Sequence, residues 1–188
     1  PLPEGEMINK TTVYKIVPVL LLLLIAYSGI YAQEHKISIA ASYGIFKPTN
    51  SETRDRFDES FTRIGLTSFD PEKPRDWRFI LEAGNYNLDD GTTEIQLLPV
   101  TAGYEKGIGE NPDLQPYLAL RAGPYFGKAD SDILDESHIG LNINATCGIV
   151  IRQRLYAEIR YDYFSEFVDT DFSGLSLSVG LKLFDIRF

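Results

Sequence analysis

The stretch that decides the fold is "HIGLNINATCGIVI", residues 138–151. Every second residue from Ile139 to Ile151 is apolar, and the residues between them are glycine, asparagine or threonine, with Val150 as the one exception. A period of two predicts a β-strand with one apolar face and one small, polar face. In a soluble barrel or sandwich the apolar face would point into a protein core, whereas in an outer-membrane barrel it would point at lipid.

The same alternation recurs along the chain between turn signals, and no helical pattern interrupts it. We predict eight strands, of which the second has the weakest alternation, at 36–46, 60–69, 77–88, 93–106, 114–128, 138–151, 155–164 and 174–184. Several are about 10 residues long, the length that a tilted strand needs to cross an outer membrane. An even number of strands returns both chain ends to the same side.

The connections between these strands fall into two alternating classes. Long or acidic segments occur at 47–59, 89–92, 129–137 and 165–173, and shorter or charge-mixed segments separate them at 70–76, 107–113 and 152–154. Long loops outside and short turns inside are typical of outer-membrane barrels.

The polar faces favour the membrane interpretation. They carry small residues and tyrosines together with charges of both signs, which we predict to form a charge network in the lumen: Arg78, Glu82, Arg121, Glu158, Arg160 and Lys182. The apolar faces are then predicted to contact lipid, through residues that include Leu141, Ile143, Ile149, Leu177, Val179 and Leu181. Two roles stay open for the network: its ion pairs fill and lock the tube, or they switch partners and gate a narrow conduit.

The amino terminus predicts export. Lys10 and Lys15 precede the apolar segment "IVPVLLLLLIAYSGIYA", which is followed by polar residues, so 7–32 is predicted to be a helical signal peptide cleaved after Ala32. Its fully apolar core is too short to span a bilayer. Residues 1–6 are expected to be upstream residues without structure, and 33–188 to be the barrel.

Composition excludes several function classes. The net charge of −9 and the lack of a basic patch disfavour a nucleic-acid partner, and the single cysteine, Cys147, permits neither an internal disulfide nor a cysteine metal site. Glu136, Ser137 and His138 are the one cluster with a carboxylate, a nucleophile and a base. Because neighbouring residues on a strand point to opposite faces, they are not expected to form a catalytic triad. We predict no enzymatic activity, no cofactor and no metal centre.

Carboxylates collect in the predicted loops. The acidic loop rim comprises Asp130, Asp132, Asp135, Glu136, Glu166, Asp169 and Asp171. These residues either form a solvated, repulsive rim or bind divalent cations, through which they would bridge to the phosphates of lipopolysaccharide.

Four segments carry a resemblance to a known family: "LLPVTAGYE" at 97–105, "LQPYLALRAGPYF" at 114–126, "RLYAEIRYDYF" at 154–164 and the closing strand from 172. With them the chain resembles the small OmpA-like and OmpW-like outer-membrane barrels of the porin family. The resemblance implies a closed eight-stranded antiparallel up-and-down transmembrane β-barrel in the outer membrane of a Gram-negative bacterium. It also implies outer-membrane lipid and lipopolysaccharide as partners, the barrel-assembly machinery during insertion, and a monomer.

The predicted function is a non-enzymatic role in envelope integrity or surface interaction. One alternative is a narrow gated channel for small solutes. Another is a soluble periplasmic, lipocalin-like binder, in which the apolar faces would surround an apolar ligand.

Overall fold

The computed structural model describes residues 36–57, 60–69, 77–89, 91–109, 111, 113–131 and 134–187. The predicted signal peptide, 7–32, and residues 1–6 lie outside the described residues. Within the described part, Ile37–Ile186 form one compact unit.

The unit is a closed β-barrel in which each strand pairs with its neighbours in chain order. The strands are β1 (Lys36–Pro48), β2 (Phe61–Phe69), β3 (Trp77–Asp89), β4 (Thr93–Gly107), β5 (Leu114–Ser131), β6 (Leu134–Ile151), β7 (Leu155–Phe164) and β8 (Gly174–Arg187), and one helix, α1 (Ser51–Arg56), lies between β1 and β2. The recorded pairings between consecutive strands are antiparallel. The predicted up-and-down barrel is confirmed. Because the barrel closes, every strand has a neighbour on both sides, and the wall has no outermost strand whose unpaired backbone groups would face lipid.

The weakly predicted second strand is a full member of the wall. It pairs with β1 from Ser38↔Phe69 to Phe46↔Phe61 and with β3 from Thr62↔Asn87 onward. Its alternation is hard to recognise because its inward face begins with a buried phenylalanine, Phe61, and its outward face begins with an exposed threonine, Thr62.

Two local predictions were wrong. The segment 129–137 is not a long loop: β5 runs to Ser131 and β6 begins at Leu134, and the ladder continues through Ala129↔Glu136. The first connection contains α1, whose N-cap Asn50 accepts a hydrogen bond at Oδ1 from the Glu52 N–H at 2.8 Å. Six residues are too few to carry an amphipathic period. Among the described residues, no helix has the length and hydropathy needed to cross a membrane.

The two faces of the wall are inverted relative to a soluble barrel. Leu141 and Ile143 are 46% and 38% exposed, whereas Arg121 and Glu158 are 2% and 4% exposed and face the interior. A soluble binder with an apolar interior would have the opposite arrangement, so the lipocalin-like alternative is wrong. The other predicted lipid-facing residues behave in the same way, Leu177, Val179 and Leu181 being exposed and Ile149 partly exposed.

The interior is filled in three layers. Because strand direction alternates, the connections after β1, β3, β5 and β7 lie at one end of the barrel, which we call the loop end, and the others lie at the turn end. A large apolar and aromatic cluster occupies the loop end, and a smaller one around Ile80, Tyr117 and Tyr156 occupies the turn end. Buried charged side chains lie between them.

Candidate functional site

Glu82 is the hub of the buried charges. It accepts hydrogen bonds from Arg160 on both carboxylate oxygens, with Arg160 Nη2 at 2.7 Å from Oε2, and it also accepts one from Arg63 Nη2. Arg121 Nη1 lies 3.4 Å from Glu82 Oε2. One carboxylate therefore holds three guanidinium groups that come from β2, β5 and β7.

Two further carboxylates balance these cations. Glu158 Oε1 accepts a hydrogen bond from Arg160 Nη2 at 2.8 Å, and its Oε2 accepts one from the Tyr117 hydroxyl at 2.9 Å. Asp162 Oδ2 accepts from the Tyr86 hydroxyl at 2.9 Å. We call Arg63, Glu82, Arg121, Glu158, Arg160 and Asp162 the lumen cluster. Its three cations and three anions balance in formal charge, and Glu82 and Glu158 form the direct ion pairs with the arginines.

Small residues on the inward faces make room for the long side chains. An ideal Cβ at Gly65 would lie 3.3 Å from Arg63 Nη2 and 2.7 Å from Ser42 Oγ. Arg63 Nη1 donates to the hydroxyls of Ser42 and Ser178 at 3.4 and 3.3 Å. Gly65 on β2, Ser42 on β1 and Ser178 on β8 thus create the space that the Arg63 side chain occupies.

The structure brings together four of the six charges predicted for the lumen: Glu82, Arg121, Glu158 and Arg160. Arg78 pairs with Glu105 on the adjacent β4. Lys182 does not belong to the cluster, because its Nζ pairs with Asp185 Oδ1 at 2.5 Å near the end of β8. The prediction that Lys182 belongs to one common network was therefore wrong.

Three charged residues of the interior were missed as network members. Arg63 lies on the weakly predicted strand, and Glu105 lies on β4, where Pro99 obscures the alternation. Asp162 shares the inward face of β7 with Glu158 and Arg160, so its period-two spacing was a usable signal.

Aromatic rings close the lumen at the loop end. Phe164 makes edge-to-face contacts with Tyr86 and Tyr125 at centroid distances of 5.5 and 5.2 Å, and Phe46 contacts Tyr86 at 5.1 Å. We call Phe46, Tyr86, Tyr125 and Phe164 the aromatic plug. Three more buried rings cover it, contributed by the α1 segment and the β7–β8 loop: Phe57, Phe167 and Phe172.

A small cavity lies on the turn-end side of the lumen cluster. It has a volume of about 20 Å³, and its lining includes Arg121, Glu158, Tyr117 and Tyr156. This volume accommodates about one water molecule. A hydrated solute needs considerably more room than this cavity provides.

The predicted acidic rim lies at the loop end and is dispersed. Glu136, Glu166 and Asp169 are exposed, Asp130 pairs with Lys128, and Asp171 accepts a hydrogen bond from the Ser173 N–H at 2.8 Å. Asp132 and the side chain of Asp135 lie outside the described residues. Among the described side chains, no group of three or more histidine, cysteine or acidic residues is arranged to hold a metal ion.

The residues considered for catalysis do not converge. Glu136, Ser137 and His138 follow one another on β6, so successive side chains point to opposite faces of the strand. The His138 ring stacks on Phe167 at a centroid distance of 5.7 Å. In this arrangement the histidine is a packing partner of the loop.

Comparisons with known proteins identify the fold. No family model matches the chain, and no curated protein matches it. Among solved structures, Neisserial surface protein A aligns with a TM-score of 0.59 at 18% identity, over 79% of this chain and 97% of that one. Ail, the attachment invasion locus protein of Yersinia pestis, aligns with a TM-score of 0.51 at 20% identity, over 80% of this chain and 100% of that one. Ail in complex with the heparin analogue sucrose octasulfate gives 0.52 at 19% identity, with the same coverage.

At these identities the likeness establishes the fold, and it agrees with the physical character of the wall. The apolar exterior, the charge-compensated interior and the eight-strand closure are those of a protein that spans a membrane. The chain therefore has the fold of the small eight-stranded β-barrels of the outer membrane.

Proposed function

We propose that this protein is a closed, non-enzymatic barrel that contributes to envelope integrity and presents its loop end for surface interaction. The observation that carries the proposal is the filled lumen. The aromatic plug and the lumen cluster lie one above the other, and both consist of buried side chains packed against one another. A conduit would have to disrupt both layers.

The lumen cluster supports a locking role over a gating role. Glu82 engages Arg63, Arg121 and Arg160 at the same time, so an arginine that changed partners would leave a buried charge without compensation. Even if the ion pairs exchanged, the plug would still block the loop end. The cost of both changes favours a tube that stays closed.

The loop end is a negatively charged surface that could contact a partner. Among the described residues, exposed carboxylates outnumber exposed cations there, and they include Glu52, Asp89, Glu94, Glu136, Glu166 and Asp169. Ail was crystallised with a sulfated heparin analogue; this rim instead favours a cationic partner or divalent cations that bridge to lipopolysaccharide phosphates. In this proposal the barrel is a monomer that contacts outer-membrane lipid and lipopolysaccharide, and the barrel-assembly machinery inserts it.

Conductance in planar lipid bilayers tests the closed state. Purified wild-type barrel is expected to give no discrete conductance steps. Arg121→Ala removes a cation from the lumen cluster but leaves the plug, so it is expected to lower stability without opening a path. Lys182→Ala is the matched control, because it removes an inward-face cation that pairs outside the cluster.

Steps in the wild type, or steps that appear in Arg121→Ala and not in Lys182→Ala, would identify a gated channel and overturn the proposal. The integrity role has a separate readout. A strain that lacks the protein is expected to become more sensitive to detergent, and the wild-type gene should restore resistance.

A further inference from the structure

Within the part of the chain that the structure describes, one edge of β6 is unpaired at the loop end. β6 pairs with β5 over its whole length, from Ser131↔Leu134 to Leu114↔Ile151. On its other side it pairs with β7 only from Asn142↔Phe164 onward. The loop-end part of β6, above Leu141, therefore has a strand on one side and no strand partner on the other among the described residues.

The contacts of Leu141 identify which backbone groups point to that edge. The Leu141 carbonyl accepts the Ser165 N–H at 2.9 Å, and the Leu141 N–H donates to Ser165 Oγ at 2.9 Å. Backbone groups alternate in direction along a strand. The N–H and C=O of Ile139 and Ser137 therefore point to the same side as those of Leu141, where β7 has already ended.

The chain after β7 leaves this edge uncovered because it turns into the mouth of the barrel. Phe167 is buried, stacks on His138, and would lie 3.1 Å from an ideal Cβ at Gly127. Val168 and Asp169 both have φ of 52°, and this left-handed pair reverses the chain. The loop thus covers the inner face of the β5–β6 hairpin and not its edge.

We propose that the free edge of β6, residues 136–140, binds an extended segment of another protein that bears lysine or arginine, by β-strand addition. Main-chain hydrogen bonds to Ser137 and Ile139 would supply affinity. Alternate side chains of the bound segment, which we call the guest strand, would supply specificity. This inference rests on the proposed function, in which the loop end faces outward. It adds the class of partner.

Charge decides the composition of the guest strand. Glu136 is exposed on the edge itself, and Glu166 is exposed on the loop that begins at Ser165. Cationic side chains on one face of the guest would lie beside these carboxylates. The other face would meet Ile139, which is 52% exposed. A second copy of this chain would instead bring its own acidic loop end against this one.

Peptide binding to the whole barrel in zwitterionic nanodiscs tests the inference, with empty nanodiscs as the blank. The probe is a fluorescein-labelled nonapeptide of alternating lysine and threonine, and binding is followed by anisotropy. The comparison peptides are a glutamate–threonine nonapeptide and the lysine–threonine peptide N-methylated at every residue, which cannot donate along either edge. Only the unmodified lysine–threonine peptide is expected to bind.

Ser137→Pro removes the edge N–H without affecting the pairing with β5, and Ser137→Val keeps the N–H. We expect Ser137→Pro to weaken binding about tenfold or more and Ser137→Val to bind like the wild type. Glu136→Gln/Glu166→Gln should weaken binding about threefold or more and reduce its salt dependence. Heat-modifiable gel migration checks that each variant is folded.

Equal binding of Ser137→Pro and the wild type, or of the cationic and anionic peptides, would overturn the inference. So would concentration-dependent dimers that Ser137→Pro abolishes, since the occupant would then be a second copy. If Ser137→Pro does not fold, equal binding of the N-methylated peptide is the overturning result. If one of these overturning results is obtained and the wild-type barrel does not conduct in planar bilayers, only the strand-addition inference is refuted. If the wild-type barrel conducts, the proposed function is refuted, whichever peptides bind.

Discussion

Glu82→Gln is the substitution that most directly probes the interior. The side chain of Glu82 is 4% exposed, and its carboxylate contacts guanidinium groups of Arg63, Arg121 and Arg160. Glutamine has nearly the same size but no charge. The variant would therefore keep three buried arginines facing only two carboxylates, Glu158 and Asp162.

The expected cost is large relative to the stability of a small protein. Removing one partner of a buried ion pair costs about 3–5 kcal/mol, because the remaining charge stays buried without compensation. Native stabilities are about 5–15 kcal/mol, so Glu82→Gln should remove a substantial share of the free energy of unfolding. Glu94→Gln is the matched control: Glu94 is exposed at the loop end of β4, and its change should stay within about 0.5 kcal/mol.

Urea unfolding in phospholipid vesicles measures the effect. The only tryptophan, Trp77, lies on the outward face of β3 and is 66% exposed, so its fluorescence reports the transfer of the wall between lipid and water. Glu82→Gln/Arg160→Gln removes one charge of each sign. Its loss should fall short of the sum of the two single losses by about 1–3 kcal/mol. A Glu82→Gln loss below about 1 kcal/mol, or strict additivity in the double variant, would refute the view that charge compensation stabilises the lumen.

Two further predictions use the same unfolding assay. Ile143→Arg should cost about 2–4 kcal/mol if the residue lies near the bilayer midplane, whereas Ser137→Arg at the loop end should cost far less, and no loss for Ile143→Arg would contradict a lipid-facing position. Gly148→Ala places a methyl group 2.4 Å from Tyr117 Cζ and should cost about 1–3 kcal/mol. Tyr117→Leu makes room for that methyl group, so additive losses in the Gly148→Ala/Tyr117→Leu variant would contradict the proposed clash.

The wall of the barrel could be predicted from the sequence because its determinants are local. In a strand, the side-chain period is two, and a slip of one residue would turn every apolar side chain to the wrong face. In β6 and β8 this contrast is nearly unbroken, so both the strands and their orientation were predicted correctly. Where an apolar residue lies on the inward face beside a polar residue on the outward face, as with Phe61 and Thr62 in β2 or Ile95 and Glu94 in β4, the pattern weakens although the strand persists.

The contacts inside the lumen could be predicted only in part. The period-two alternation along β3 and β7 places Glu82 and Arg160 on inward faces, but the two residues are 78 positions apart in the chain. Whether they meet depends on how far each strand is staggered against the next around the barrel. Lys182 also lies at an inward position of its strand, but it pairs with Asp185, near the end of β8, and not with the lumen cluster.

The sequence by itself determined the strands and the face of each strand that contacts lipid, because the alternation of apolar and polar residues involves only residues adjacent in the chain. The tertiary structure alone decided which charges compensate one another and how the β7–β8 loop closes the mouth of the barrel. It also decided that β6 extends further towards the loop end than its neighbour β7. These features depend on the relative heights of strands that are distant in the chain. At the loop end of the β5–β6 hairpin, apolar and polar residues no longer alternate clearly. There the two strands continue because of the hydrogen bonds between them, which the sequence pattern does not reveal.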